Sequence, residues 1–363
     1  KARTGDTAKD VFVYDTSKDS DGGAWRHRTQ NTSWYNEGVS ATRGARKEFP
    51  AVAVIVAYNY GLRIYDGDDP NLPMWMEFNG SSGSSSYLDA TNPESCAAIN
   101  GSVYTGGYLG SIEIRFISDD NRFRNTTRQY NKGNISERNS QKGWVVTGGS
   151  DVLVNNNVNV VAMTVLPNAP IDASTGLPIP TIAVGTDGGM SVIRDNQTVA
   201  DLTGFNPVTF VAIEGDVIVG ALGGTSTHDF IFKTNIPAAD EQFDVQITAG
   251  SGNFYMNSNS GTTPLLRDLN MTAMTFNPSD TTIYRGGNNG FDIITETDTV
   301  SGTVNNSLIA YVDTDYNSGY MVGDIRGAFL ADTDTTSVNI ASRNLILNST
   351  FANTNNWTGA SNG

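Results

Sequence analysis

Apolar residues along this chain alternate with polar ones or gather into runs of four to seven, bounded by Gly, Asn, Asp and Pro. Helical spacing is nearly absent, so the pattern is that of strands and turns. Hairpins of two outer strands around a polar turn are predicted at 11–29, 62–78, 112–127, 190–203, 229–248 and 291–304, with a weaker one at 326–340. Before most of them stands a more apolar pair: "AVAVIVA" (51–57), "CAAINGSVYTGG" (96–107), "VAMTVLP" with "TIAVGT" (161–167, 181–186) and "TFVAIEGDVIVGAL" (209–222). "MTAMTFNPSDTTIYRGG" (271–287) and "SLIAYVDTDYNSGYMVG" (307–323) follow the same scheme.

Units of four strands repeating every 40–55 residues have the arithmetic of a β-propeller, in which blades pack radially and few edges stay open. The predicted fold is therefore all-β: a β-propeller of six or seven four-stranded blades over residues 1–341. Its first hairpin has no apolar pair upstream and is expected to complete the last blade and close the ring. A parallel β-helix and stacked sandwiches are the rival folds. Residues 342–363, with "NLILNSTF" and then "NNW", resemble a linker and the first strand of a galactose-binding-like, jelly-roll carbohydrate-binding module. That resemblance implies a longer polypeptide.

Composition narrows the chemistry. Among 363 residues there are one Cys and two His, too few for a disulfide framework or a Cys/His zinc site. Cys96 falls in an apolar run, where a buried inert thiol is expected. The net charge of −15 lies wholly in residues 143–363, which hold 6 Lys/Arg against 21 Asp/Glu, while 1–142 balance at 17 each. Such a surface argues against nucleic acid as a partner. No apolar run reaches the length of a membrane span. The start, "KARTGDTAKD", carries neither an initiator Met nor a signal-peptide core, as expected of a processed chain or a segment of a longer one.

Two polar segments, 30–49 and 128–143, interrupt the strand pattern as insertions. Around the second, Arg115, Arg122, Arg124, Arg128, Lys132 and Arg138 form a candidate basic docking patch for a partner or an anionic glycan, against the plainer reading of a solvated loop. The acidic turns "DTSKDSD", "DGDDPN", "DTDY" and "DTDTT" could offer oxygens to a structural calcium ion, though none has the EF-hand pattern. No other cofactor is expected.

The turn "SKDSDGGAW" (17–25) is similar to the Asp-box of sialidase-type propellers, Ser-x-Asp-x-Gly-x-Thr-Trp. On that resemblance Asp19 or Asp21 takes the aspartate role and Trp25 the tryptophan, although the spacing differs by one and Ala24 replaces Thr. "GDDPNLPMW" (67–75) keeps Asp68, Asp69 and Trp75. Both are expected to be structural turns. A sialidase would also need a convergent arginine cluster, a Tyr and a Glu. Glutamates are scarce beyond residue 143, and no pair among Asp216, Asp292 and Glu296 stands out, so no catalytic residue is assigned.

The stretches "AWRHRTQNTSWYNE", "TRGARKEFPAVAVIVA", "IYDGDDPNLPMWMEF" and "GYMVGDIRGAFLADTDT" resemble virion structural proteins of marine tailed phages, of the tail-fibre or appendage kind. The resemblance implies an extracellular platform for host attachment in the virion tail, an oligomer with other tail proteins as partners. A downstream lectin-like module would contact the host-surface glycan. The alternatives are a polysaccharide-degrading propeller enzyme and a bacterial surface glycan-binding propeller.

Overall fold

The structure is a computed structural model. It describes residues 6–80, 88, 92–126, 129–131, 133–140, 145–146, 151–204, 206–222, 230–242, 254–257, 271–277, 282–287, 290–296, 307–314 and 325–332. Candidate residues Arg128 and Lys132, and the jelly-roll segment 342–363, lie outside these. The chain divides into two compact units, one of 1–225 with 230–247 and one of 226–229 with 248–363.

The first unit is all-β with a four-blade propeller arrangement. Its first sheet orders β1 (Ala8–Asp15), β2 (Val52–Tyr58), β3 (Gly61–Asp66) and β4 (Met74–Asn79). The second runs outward from β5 (Pro93–Ile99) through β6 (Ser102–Gly107), β7 (Gly110–Arg115) and β8 (Asp120–Arg124) to β9 (Gln129–Asn131) and β10 (Val145–Val146). The third contains β11 (Val158–Thr164), β12 (Thr181–Thr186), β13 (Gly189–Ile193) and β14 (Val199–Thr203). The fourth is led by β15 (Val208–Glu214), β16 (Val217–Leu222) and β17 (Phe230–Asn235). A short β18 (Glu241–Gln242) joins the third sheet parallel to β14. Inner strands meet blade to blade: β5 lies against β1 and β2, β11 against β5 and β6, and β15 against β11 and β12.

The second unit holds β19 (Phe254–Asn257) and a five-stranded antiparallel meander. Its strands are β20 (Met271–Asn277), β21 (Thr282–Gly287), β22 (Gly290–Glu296), β23 (Ser307–Thr314) and β24 (Ile325–Asp332).

Three of the seven predicted hairpins stand, at 62–78, 112–127 and 190–203; those at 291–304 and 326–340 run outside the described residues, and the remaining differences have physical causes. Residues 11–29 are not a hairpin and do not close a last blade. β1 pairs antiparallel with β2, 36 residues further on in the register Asp15↔Val52 to Ala8↔Tyr58, and is the first strand of the first sheet. The chain then turns through two 3₁₀ segments, Thr16–Lys18 and Ala24–Arg28. Gly23 makes this fold back possible. At φ +80° it occupies the left-handed region, and a Cβ there would stand 2.7 Å from Thr16 Oγ1, a position only glycine tolerates. Residues 241–242 do not pair back on β17, and β23 continues the outer edge of its meander instead of opening a new blade.

The insertion 30–49 is not a solvated loop. It delivers Trp34 and Phe49, both fully buried, into an aromatic cluster with Trp25, Trp75, Phe78 and Phe116 between the first two sheets. Phe49 is the hub, with ring centroids 4.9 Å from Trp75 and Phe116, 5.2 Å from Trp25 and 5.7 Å from Tyr14, mostly edge to face. Such pairs add to the area term. Ile55 and Ile64 of the first sheet and Ile112 and Ile114 of the second extend the core inward.

Phe49→Ala is expected to cost about 3–5 kcal/mol in urea denaturation, while Val39→Ala, on a side chain 73% exposed, should stay within about 0.5 kcal/mol. Equal effects would show that the cluster does not hold the two sheets together.

Candidate functional site

The quoted acidic turn is a knot between blades. Asp19 Oδ2 accepts from the Tyr14 hydroxyl at 2.6 Å and the Trp25 indole N–H at 2.7 Å, and its Oδ1 accepts from the Asn100 backbone N–H at 2.7 Å. The Tyr14 oxygen in turn accepts from Gly101 N–H at 2.8 Å. Asn100 and Gly101 form the β5–β6 turn with φ of +51° and +71°, so the first sheet's turn grips the second sheet's hairpin. Asn100 passes the grip on. Its amide oxygen accepts from Ser20 N–H and its amide nitrogen donates to the Pro178 carbonyl, both at 2.9 Å. Burial pushes the Asp19 carboxyl up from its ordinary value, with the Tyr14 and Trp25 donors pulling the other way. Burial and the Asp19 charge push the Tyr14 hydroxyl well up. Asp21 stays at the rim, accepting from Gly23 N–H and Arg28.

In the second turn Asp68 accepts from Ala51 N–H at 2.8 Å, Val52 N–H at 2.9 Å and Arg46 at 2.6 Å, and Asp66 holds the same Arg46 nitrogen at 2.7 Å. Asp69 caps Asn71, and the Trp75 indole donates to the Glu48 carbonyl. Here N–H donors occupy the carboxylate oxygens that calcium would need. Among the described residues no three of His, Cys, Asp and Glu converge as a metal site would require.

Among the described residues the candidate arginines do not form one exposed docking patch. Arg115, Arg124 and Arg138 are buried. Arg138 donates to the Glu77 and Thr42 carbonyls at 2.7 and 2.8 Å and pairs with Glu37 at 2.6 Å, pinning 133–140 to the first sheet. Arg115 is bracketed by Asp120 and, at 2.9 Å, Asp172. Arg122 and Arg124 converge on Gln197 of the third sheet. Strand alternation explains the burial: even positions Ile112 and Ile114 face the aromatic core, while Ser111, Glu113 and Arg115 face the next blade.

Residues outside the sequence-based candidates carry equal weight. Buried Arg43 donates to the carbonyls of Trp34, Gly44, Arg46, Lys47 and Trp75 and lies 4.8 Å over the Trp75 ring. Its burial lowers it to about 10. Arg63 bridges Asp6 and Glu77, and the Tyr58 hydroxyl donates to Glu77 at 2.8 Å. Arg43 lacks a local signal, because carbonyl capture by a loop arginine depends on the folded loop. Arg63 and Glu77 were open to detection as opposite charges on adjacent strands.

No family model matches this chain, and no curated protein matches it. Among solved structures it is similar to the extracellular domain of a one-component system from B. thetaiotaomicron, at 12% identity over 93% of this chain and 48% of that one, with a TM-score of 0.22. PorZ, a surface component of the type-IX secretion system of Porphyromonas gingivalis, is matched at 10% identity over 77% of this chain and 36% of its own, with a TM-score of 0.28. Hsv2p of Kluyveromyces lactis is matched at 8% identity over 77% of this chain and 96% of its own, with a TM-score of 0.25. This chain spans about half or less of the first two. Likenesses this remote carry no argument about activity or partners.

Asp19→Ala strands the Tyr14, Trp25 and Asn100 donors and is expected to cost about 2–4 kcal/mol; a loss under about 0.5 kcal/mol would rule out the knot as a blade fastener. Asp68 tests acid stability. Burial raises its carboxyl, but the Ala51 and Val52 N–H groups and Arg46 more than offset this, so the net value falls below the ordinary 3.8. Its contribution is therefore complete above that value and lost as pH falls through the folded one. Asp68→Asn should flatten the acid limb of a Tm-against-pH curve, and an unchanged limb would contradict the assignment.

Proposed function

We propose that the chain is a structural protein of a virion tail, a platform in a fibre or appendage that serves host attachment. The observation that carries this reading is the face of the first sheet opposite its aromatic core. There Val11 and Val13 of β1 stand 55% and 63% exposed. Val52, Val54 and Val56 of β2 continue the stripe half-buried. A contiguous apolar stripe that water still reaches marks an assembly surface, and a second copy of the chain in a symmetric oligomer is its occupant. Rigidity supports the same reading. The insertion that separates β1 from β2 is locked by Arg43, Trp34 and Phe49, so it presents a fixed shape to a partner.

The finer architecture belongs to this proposal: six or seven blades in all, with the valine face of the first sheet left to the second copy, entry at 342 into a jelly-roll module that binds the host-surface glycan, other tail proteins as partners, and a location in the extracellular virion. The resemblance of "AWRHRTQNTSWYNE" and "GYMVGDIRGAFLADTDT" to tailed-phage virion proteins supports it.

Peptide mass spectrometry of purified phage particles is expected to find this chain. Sedimentation of the isolated protein should give a symmetric oligomer that Val13→Asp dissociates while its Tm holds. A monomeric wild-type protein absent from particles would overturn the reading.

A further inference from the structure

The knot between the first two sheets closes over a reactive pair. Asn100 is followed by Gly101, the sequence in which a backbone nitrogen most readily attacks the preceding side chain, because glycine has no Cβ to hinder it. The fold imposes both residues. Gly101 stands at φ +71°, and a Cβ there would lie 2.9 Å from the Ile117 side chain, so glycine alone fits without strain. Asn100 stands at φ +51°, a region that asparagine tolerates better than most residues. Its amide also accepts from Ser20 N–H and donates to the Pro178 carbonyl, a double task that a carboxylate, which only accepts, cannot perform.

Each group the attack requires is occupied in the folded chain. The nucleophile, Gly101 N, donates to the Tyr14 hydroxyl at 2.8 Å. The side chain under attack is held through both ends of its amide, at 2.9 Å each. Asp19 fixes the Asn100 backbone N–H at 2.7 Å. Asn100 is only 3% exposed, which keeps out the base that must take the glycine proton. All these restraints come from outside the second sheet. Tyr14, Asp19 and Ser20 belong to β1 and the turn after it, and Pro178 to the connection between β11 and β12. Opening of the seam therefore frees nucleophile and electrophile together.

We propose that Asn100 is a self-modification site, kept silent by the knot and exposed when the seam opens. The freed Gly101 nitrogen gives up its proton to base and attacks Asn100 Cγ. The new C–N bond closes a succinimide ring, and the side-chain nitrogen leaves as ammonia. Water then opens the ring at either carbonyl, giving aspartate or isoaspartate. Neither product restores the knot. The new carboxylate has no proton for the Pro178 carbonyl and adds negative charge next to Asp19, and isoaspartate also lengthens the main chain at the turn. A transient opening becomes permanent. Water is the only co-reactant, and the inference does not depend on the platform reading, so either can fail alone.

Peptide mass mapping of the protein held in warm, mildly alkaline buffer tests this, with Asn79 as internal reference. Asn79 is also followed by glycine, but the Gly80 N–H donates to the Tyr60 carbonyl, a bond the knot does not share. In the urea-unfolded chain both asparagines are expected to convert at similar rates, while in the folded wild type Asn100 stays unconverted. Tyr14→Phe removes the acceptor of the Gly101 N–H and should speed conversion at Asn100 about fivefold, the effect of one hydrogen bond, with Asn79 unchanged. The wild type alone supplies a second measurement. In urea below the unfolding transition, conversion at Asn100 should rise in step with hydrogen exchange of the Gly101 amide. Asn100→Asp, the product made directly, should lower the Tm. Conversion of Asn100 in the folded wild type at the unfolded rate would overturn the proposal. So would conversion that runs ahead of Gly101 exchange, an Asn100 as silent in folded Tyr14→Phe as in wild type, or an Asn100→Asp variant as stable as the wild type.

Discussion

One buried carboxylate holds the first two blades in register. Asp19 is shared by a strand tyrosine, a turn tryptophan and the backbone of the next blade's hairpin, and each of these depends on the others. Tyr14 is oriented by Gly101 as well as by Asp19, so β1 cannot shift along its sheet without breaking a bond to the second sheet. Trp25 can reach Asp19 only because Gly22 and Gly23 adopt positive φ and fold the turn back. Its ring then packs on Phe49, and Phe49 on Trp75 and Phe116. A polar contact thus sets the position of the largest apolar cluster in the first unit.

Arginine supplies the second principle of construction. A propeller blade with long connections has many loop carbonyls away from any strand partner, and burying them unpaired is costly. Arg43 meets four such carbonyls, of Trp34, Gly44, Arg46 and Lys47, as well as that of Trp75 on β4, and Arg138 meets that of Thr42 and that of Glu77 on β4. The guanidinium suits this work because its donors lie in a fixed plane and its charge strengthens each bond. Burial makes the charge expensive, as the lowered Arg43 shows, yet Glu37 stands beside both groups and offsets part of that cost. The basic residues of 1–142 are therefore partly internal mortar, which is why their number does not translate into a basic surface.

The sequence makes the strand-and-turn rhythm legible because alternation records which face is buried. β5 to β8 and β11 to β14 lie close to their predicted places, while the two Tyr-Asp stretches end differently, Trp25 held by the Asp19 carboxylate and Trp75 by the Glu48 carbonyl. Residues 11–29 mislead for a physical reason: Phe12 and Tyr14 alternate as a strand should, but the partner strand lies beyond a long insertion, and adjacency in sequence is a poor guide to it. The insertion's burial is equally hidden. "QNTSWYNEGVSATRGARKEF" is polar on average, and only the folded loop shows that Trp34, Arg43 and Phe49 all point inward.

The same logic runs through the other arginines, which finish their work inside the fold. Arg138 and Arg43 end on carbonyls and a shared glutamate, and Arg115 on two aspartates, so every donor direction that matters is matched by charge or by a buried oxygen. Arg122 and Arg124 join the same network through Glu113, Tyr104 and the Gln197 amide, so the basic face of the second sheet is tied to the turn of the third.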